Sequence, residues 1–217
     1  MNRHQAPDEL LLDFATGALP EGPALAVALH AALVPATRSA LARLAAMGGS
    51  LLEGQEPEPL GEAVLELALA RLDRTQVEAA PALPLPRTGF EWAPSPLAHY
   101  LDGRDWKRVF GGFERIDLPL TSGDTHLVSL LRLQPGRGLP AHRHVASEYT
   151  VVLQGGYTDN TGNYTSGDFA VGPGPQEHEP IADPGGPCIA LIVLEKPIVL
   201  SGPWGRWLNP LVRRGWI

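Results

Sequence analysis

Hydrophobic positions recur at helical intervals in the first third of the chain. In "EGPALAVALHAALV", Leu25, Leu29 and Leu33 lie four residues apart, as residues do along one face of an α-helix. Three further stretches have similar spacing and are predicted to be helices: 7–19, 37–53 and 60–73. Four short helices predict a small helical bundle, and a core of fewer than about 80 residues gains from a metal, a partner or an attached domain.

Two features predict where these helices stop. Pro35 follows the second helix and should end or bend it, because proline disfavours helical backbone at the residue before it. The pair Gly48 and Gly49 is predicted to stop or break the third helix.

Beyond residue 97 the pattern changes to short apolar stretches separated by turn residues. Turn signals such as "DNTGN" and "DPGGP" occur about every ten residues. Eight stretches are predicted to be strands: 108–118, 125–135, 147–155, 157–160, 162–167, 168–173, 178–183 and 188–196. Many short strands predict an antiparallel sandwich or barrel of the jelly-roll type.

The change of pattern predicts two domains. The stretch "AAPALPLPRTGFEWAPSP" is rich in proline, which disfavours helix and central strand and favours extended chain. The predicted division is a helical domain over 1–78, a linker over 79–96 and a strand-rich domain over 97–217. The final stretch, "GPWGRWLNPLVRRGWI", holds three of the five tryptophans and is predicted to cover an open end of the barrel, with an interface as the alternative.

Composition narrows the function classes. A chain of 217 residues with 44% hydrophobic content can bury a core, and a formal net charge of −7 argues against direct binding of nucleic acid. We recognise neither a secretory signal nor an apolar run of about 18 residues, so we expect a cytoplasmic protein that does not bind membranes. The single cysteine, Cys188, lies in the apolar run "CIALIVL" and is predicted to be a buried core residue.

Candidate chemistry is concentrated in "HRHVASE". His142 and His144 are two residues apart, so in a strand both rings point to one face. Glu148 follows four residues later, and His178 comes after a tight Pro-Gly turn. Three imidazoles and one carboxylate suit Zn, Fe(II), Mn or Ni. The alternative is a set of exposed loop histidines.

These stretches resemble the two motifs of the cupin family. "GRGLPAHRHVASEYTVVLQG" is similar to the first motif and "GDFAVGPGPQEHEP" to the second. The resemblance implies a double-stranded β-helix barrel from residue 97 to about 200, with His142, His144, Glu148 and His178 as ligands. We expect one divalent metal there, with Zn first and Fe, Mn or Ni as alternatives.

The helical part resembles that of ChrR-type anti-sigma factors. The similarity lies in a histidine before the first helix, the "DELL" stretch, "LAVALH" and "GGSLLE". It implies that the helical domain sequesters an extracytoplasmic-function (ECF) sigma factor. It also implies that the cupin domain is needed for release under stress such as singlet oxygen or peroxide.

The chain departs from this family where the family binds zinc in its helical domain. His4 and His30 match two ligand positions, but Val34 and Thr37 stand where the family has cysteines. Two histidines alone are a poor structural zinc site, so no N-terminal zinc is expected. Val34 can add apolar burial instead, and we expect sigma-factor binding to survive chelation.

The alternative function is a metal-dependent cupin enzyme, a dioxygenase or hydrolase acting on a small molecule. The available acid–base candidates, Arg143, Tyr149 and Glu177, should point away from the histidines that they adjoin. We therefore predict no catalytic residue and no organic cofactor site, and we expect a regulator rather than an enzyme. The predicted partner is an ECF-type sigma factor, and a homodimer through the cupin domain is left open.

Overall fold

The computed structural model describes residues 4–61, 63–74, 89–109, 112–121, 123–172 and 174–202, together with residues 207, 209, 210 and 212. The helices are α1 (Asp8–Ala15), α2 (Glu21–Leu33), α3 (Pro35–Glu53) and α4 (Val64–Arg74), followed by a 3-10 helix (Ser95–Leu101). The strands are β1 (Lys107–Arg108), β2 (Glu114–Leu118), β3 (Leu127–Leu133), β4 (His142–Arg143), β5 (Glu148–Gln154), β6 (Gly156–Thr158), β7 (Asn163–Thr165), β8 (Phe169–Val171), β9 (Ile181–Ala182), β10 (Cys188–Leu194) and β11 (Val199–Leu200). A helical N-terminal part is thus followed by a strand-rich part, as predicted.

The boundary between α2 and α3 follows the proline prediction. Helix α2 ends at Leu33, Val34 adopts an extended conformation, and Pro35 occupies the first position of α3. Proline is well tolerated there, because its missing N–H has no partner in the first helical turn. The two helices are bent by 118° relative to each other.

The predicted break at the glycine pair was wrong. Helix α3 continues through Gly48 and Gly49 to Glu53. A glycine inside a helix costs only about 1 kcal/mol relative to alanine, and the neighbouring alanines and leucines are good helix formers. Both glycines are exposed, and an added Cβ would meet no atom within 4 Å.

Helices α1, α2 and α3 pack together, whereas α4 differs from the bundle prediction. The described side chains of α4 are exposed, apart from the half-exposed Ala70. Leu65 and Leu72 remain 68% and 69% exposed. The predicted apolar stripe of α4 therefore exists, but it does not form part of the bundle core in the described structure.

The strands form an antiparallel barrel of the predicted type. The largest sheet has the order β1-β2-β3-β10-β5-β8, and two smaller sheets have the orders β11-β4 and β7-β6-β9. The long strands β3, β5 and β10 carry apolar residues on the interior face. In the first histidine motif, His142 lies on β4 and Glu148 begins β5.

Helix α2 joins the helical part to the barrel. Leu29 of α2, Val151 of β5 and Leu191 of β10 are fully buried in one apolar cluster. Helix α2 is apolar nearly all round, which is typical of a helix covered on several sides. The helices and the barrel thus share a core, and the division at 1–78, 79–96 and 97–217 stays a prediction.

The predicted linker and the tail lie partly outside the described residues. Residues 75–88 are not described, whereas Phe90 is buried and its ring lies near Trp92 and Trp106. The prediction that the tail covers the barrel falls mostly on undescribed residues. Of the described ones, Asn209 hydrogen-bonds the backbone of Leu200, and Val212 is buried.

The single cysteine lies on β10. Cys188 is 2% exposed, as predicted, and burial is the main cause that raises the pKa of its thiol to about 12.

Among the described helices, none is by itself long and apolar enough to span a membrane, although α2 and α3 meet the length and hydropathy criteria as a bent pair.

Candidate metal centre

Backbone pairing brings the two histidine motifs together. The His142 N–H donates to the His178 carbonyl at 3.0 Å, and the His178 N–H donates to the His142 carbonyl at 2.9 Å. The neighbouring residues Arg143, Val145, Glu177 and Glu179 are exposed, whereas His142, His144 and His178 are buried. The alternation of exposed and buried positions shows that all three side chains point inward, as the two-residue spacing predicted for His142 and His144.

The three imidazoles converge on one point. The Nε2 atom of His178 lies 2.8 Å from Nε2 of His144 and 3.0 Å from Nε2 of His142. Two ligand atoms that are each about 2 Å from one tetrahedral ion are separated by roughly 3.3 Å, so the observed spacing is near that of a metal site. Among the described residues, these histidines are the group that could hold a metal ion.

Hydrogen bonds on the far side of two rings orient their inner nitrogens. The Nδ1–H of His142 donates to the Pro140 carbonyl at 2.8 Å, and the Nδ1–H of His178 donates to Asp159 Oδ2 at 2.9 Å. A neutral imidazole that donates through Nδ1 keeps a lone pair on Nε2. Two lone pairs facing each other at 3.0 Å cannot hydrogen-bond, but they can share a cation.

Glu148 adds a carboxylate to this group. It begins β5, and its Oε1 accepts a hydrogen bond from the Thr150 hydroxyl at 3.0 Å. Its Oε2 lies 2.6 Å from His144 Nε2 but has no aligned hydrogen-bond donor among the described residues. A buried carboxylate oxygen without a donor is costly unless a cation lies beside it. This orphaned oxygen fits a metal ligand.

Gly172 provides the space for this carboxylate. A Cβ atom at Gly172 would lie 2.8 Å from both Cβ and Oε2 of Glu148. Side-chain atoms do not approach that closely, so a larger residue would displace the carboxylate. Gly172 lies in the second motif, which therefore contributes space as well as His178.

The local electrostatics favour binding of a cation. Burial is the main cause that lowers the pKa of His142 to about 4, so its ring is neutral at neutral pH. Burial alone would raise the pKa of Glu148, but the nearby His144 and His142 rings lower it further than burial raises it. The neutral His142 imidazole and the ionised Glu148 carboxylate are nitrogen and oxygen donors of the kind that suit a divalent transition metal.

Sequence reasoning missed three residues that shape this centre. Asp159 holds His178 and is itself held by the Thr161 hydroxyl and backbone and by the Gly162 N–H. These hydrogen bonds lower the pKa of Asp159 although burial opposes them. The stretch "DNTGN" indicated only a turn. Thr150 and Gly172 carry no sequence signal of their own, since their roles depend on distance from Glu148.

The acid–base candidates lie away from the centre. Arg143 and Glu177 are exposed, and Tyr149 is half-buried with its ring near Phe169. The outward direction expected from strand alternation is therefore observed for Arg143 and Glu177, the neighbours of the buried His142, His144 and His178.

The helical histidines have different surroundings. The His30 ring is fully buried, its Nδ1–H donates to the Gly167 carbonyl at 2.9 Å, and its Nε2 accepts from the Ala6 N–H at 3.3 Å. The His4 ring lies on Tyr164 of the barrel, with centroids 4.4 Å apart. Thr37 is buried and donates to Gln5 Oε1 at 3.1 Å.

Comparison with known proteins identifies the family. Residues 97–196 match the family model of the ChrR Cupin-like domain. The chain is 34% identical over 215 residues to the anti-sigma-E factor ChrR of Cereibacter sphaeroides, covering 97% of this chain and 98% of that protein. The chain belongs to the ChrR family of anti-sigma factors.

A solved structure extends this relationship to three dimensions. The chain is similar to a chain in the crystal structure of Rhodobacter sphaeroides SigE in complex with the anti-sigma ChrR. The TM-score is 0.74 at 33% identity, with coverage of 89% of this chain and 99% of the other. The helices followed by a cupin barrel are thus the architecture of a ChrR-family protein.

Proposed function

We propose that this chain is a cytoplasmic anti-sigma factor that sequesters an ECF sigma factor through its helical part. The observation that carries the proposal is the uncovered apolar stripe of α4. Leu65, Leu69 and Leu72 follow one face of the helix and are 68%, 52% and 69% exposed. An apolar helix face in water is costly unless a partner covers it.

The C-terminal half of α3 also exposes apolar side chains. Met47, Leu51 and Leu52 are 63%, 71% and 74% exposed. Helix α3 packs on α1 and α2 through its earlier residues, including Leu41 and Leu44. One end of the helix is thus anchored in the core while the other presents apolar side chains to a partner.

The relatives support a sigma factor as that partner. The related crystal structure holds ChrR in complex with SigE, and the curated relative is named as an anti-sigma-E factor. The net charge of −7 disfavours a direct contact with nucleic acid. Sequestration through protein contact is the function that these observations favour.

The cupin barrel supplies the signal response in this proposal. Its metal ligands are His142, His144, Glu148 and His178, and the expected ion is Zn, with Fe, Mn or Ni as alternatives. When bound, such an ion would supply a site at which an oxidant or a ligand changes the metal coordination. The stress is expected to be oxidative, such as singlet oxygen or peroxide, and the response is release of the sigma factor.

Co-purification with the ECF sigma factors of the source organism tests the proposal. The full-length chain should retain one of them, and it should do so in the presence of a strong chelator. A variant with Leu65→Glu and Leu72→Glu should lose the sigma factor, because charges would replace the apolar stripe. Val171→Glu, at an exposed position on the barrel, is the matched control and should bind normally.

Three results would contradict parts of the proposal. Failure to retain any sigma factor would contradict the proposed function. Normal binding by the double variant would show that the α4 stripe is not the binding surface. A complex that dissociates on chelation, while circular dichroism shows the barrel still folded, would contradict metal-independent sequestration.

A metal-dependent enzyme is the second candidate. It is favoured by a cavity of about 640 Å³ that reaches His142, His144 and Glu148. A catalytic metal must keep a position free for water or substrate, which six-coordinate Fe or Mn with four protein ligands would provide. Turnover of a small oxidisable or hydrolysable molecule by metal-loaded protein that binds no sigma factor would favour this candidate.

A further inference from the structure

A large cavity lies between the histidine cluster and the wall of the barrel that faces α2. Its volume is about 640 Å³, within the usual range of about 300–1,000 Å³ for small-molecule sites. His142, His144 and Glu148 line one part of it. Much of the remaining lining is aliphatic and includes Leu131, Leu139 and Ile192.

The charged residues and the histidine elsewhere in the lining already have partners; Glu195 accepts a hydrogen bond from the Ser147 N–H at 3.3 Å, and the others form two pairs. Arg115 forms an ion pair with Asp117, and His126 Nδ1 lies 2.6 Å from Asp124 Oδ1. These pairs leave the histidine cluster as the natural place for an oxygen donor of a ligand. The aliphatic walls would hold an apolar body.

The same wall holds the start of α2. Asp124 Oδ2 accepts a hydrogen bond from the Gly22 N–H at 2.8 Å, while its Oδ1 accepts from the His126 N–H at 2.8 Å. Helix α2 has no side-chain cap of its own, so Asp124 of the barrel satisfies one of the free N–H groups of its first turn.

The contact between α2 and this wall is close. A Cβ atom at Gly22 would lie 3.0 Å from Val128 Cγ2 and 3.1 Å from His126 Cβ. Asp124, His126 and Val128 also line the cavity. One layer of residues thus separates the cavity from the start of α2.

We propose that the cavity binds a small, mainly apolar molecule with one oxygen-donor end, and that its occupancy is transmitted to α2 through Asp124, His126 and Val128. An occupant that displaces Asp124 removes the cap from Gly22 and loosens the first turn of α2. The consequence for sigma-factor release rests on the proposed function, whereas binding and loosening do not.

Isothermal titration calorimetry of the full-length, zinc-loaded chain with sodium octanoate tests the site. Octanoate should bind, and butyrate, which shares the carboxylate but has a shorter apolar body, should bind at least about tenfold more weakly. Leu131→Trp fills the cavity and should weaken octanoate binding by at least about tenfold. Val171→Trp, exposed and outside the cavity lining, is the matched control and should bind like the wild type.

Leu139→Phe is a second filling variant, and circular dichroism shows whether each variant is folded. Equal affinity for octanoate and butyrate would overturn the apolar character of the site. Wild-type affinity in a folded filling variant would overturn its location in this cavity.

Hydrogen–deuterium exchange of the same protein tests the transmission. Octanoate should speed exchange in a peptide covering residues 21–27 and leave a peptide covering 40–46 unchanged. Asp124→Ala should speed exchange in the first peptide without octanoate and reduce the further effect of octanoate. Bound octanoate without any change over residues 21–27 would overturn the transmission. No sigma factor enters these measurements, so their failure is distinct from failure of the proposed function.

Discussion

His30 of the helical part and the buried histidines of the barrel differ in how the second nitrogen of each ring is used. In the helical part, His30 uses both nitrogens in hydrogen bonds, to Gly167 and from Ala6. In the barrel, His142 and His178 each use one nitrogen and direct the other toward a shared point. A histidine in a metal motif therefore predicts a metal ligand only when the hydrogen bonds to its ring leave one nitrogen lone pair free.

Several contacts hold together the segments around His30. Thr37 donates to Gln5, and Val34 is buried. His30 ties the segment before α1 to α2 and to the barrel at Gly167. Hydrogen bonds and apolar burial thus connect these segments, and the His30 ring attaches the helices to the barrel.

The largest expected effect is a difference in metal content between a variant of a barrel histidine and a variant of His30. His144→Ala should lower the bound metal well below about one equivalent, because one of the four ligands is lost. His30→Gln should keep the metal content of the wild type. Elemental analysis of the purified proteins measures both. Loss of metal in the His30 variant, or its retention in the His144 variant, would contradict the contrast.

A second prediction concerns the residue that orients His178. Asp159→Asn should weaken metal binding by about 10–100-fold, because the ring loses the carboxylate that fixes its tautomer. Competition with a chromophoric chelator measures the affinity. Glu177→Gln removes a carboxylate from the exposed neighbour of His178 and should leave the affinity unchanged. Equal losses in the two variants would indicate a general charge effect instead.

A third prediction concerns stability rather than metal. His30→Ala should lower the free energy of unfolding by about 2 kcal/mol or more, because the buried Ala6 N–H and Gly167 carbonyl lose their partner. Urea unfolding should give the same loss with and without chelator. His99→Ala, at an exposed position on the 3-10 helix, should change stability by less than about 0.5 kcal/mol. A loss that appears only with metal present would place a metal at His30.

The smallest effect is a pH dependence. Burial lowers the pKa of His30 below its usual 6.5, although its hydrogen bond to Gly167 and the nearby Asp168 oppose this. A lowered folded-state pKa stabilises the protein above about pH 6.5, and this contribution is lost as the pH falls further. Urea unfolding at pH 7.5 and 5.5 should show a smaller decrease for His30→Ala than for the wild type. Equal decreases would show that His30 does not titrate on unfolding.

Periodicity and motif spacing predicted the helices, the barrel and the inward direction of His142 and His144. They could not predict Asp159, because "DNTGN" indicates a turn whatever its aspartate binds. Nor could they predict that α3 continues through Gly48 and Gly49, since the cost of two glycines is small against the propensity of a 19-residue helix.

The sequence by itself determined the order of helices and strands, the cupin motifs and the absence of cysteine at positions 34 and 37. These follow from local patterns of two to four residues and from residue identity. Only the tertiary structure decided that His30 joins α2 to the barrel, that Gly172 makes room for Glu148, and that Asp124 caps α2 from the cavity wall. Each of these contacts joins residues at least 24 positions apart, and no local pattern specifies which distant atom will satisfy a buried polar group.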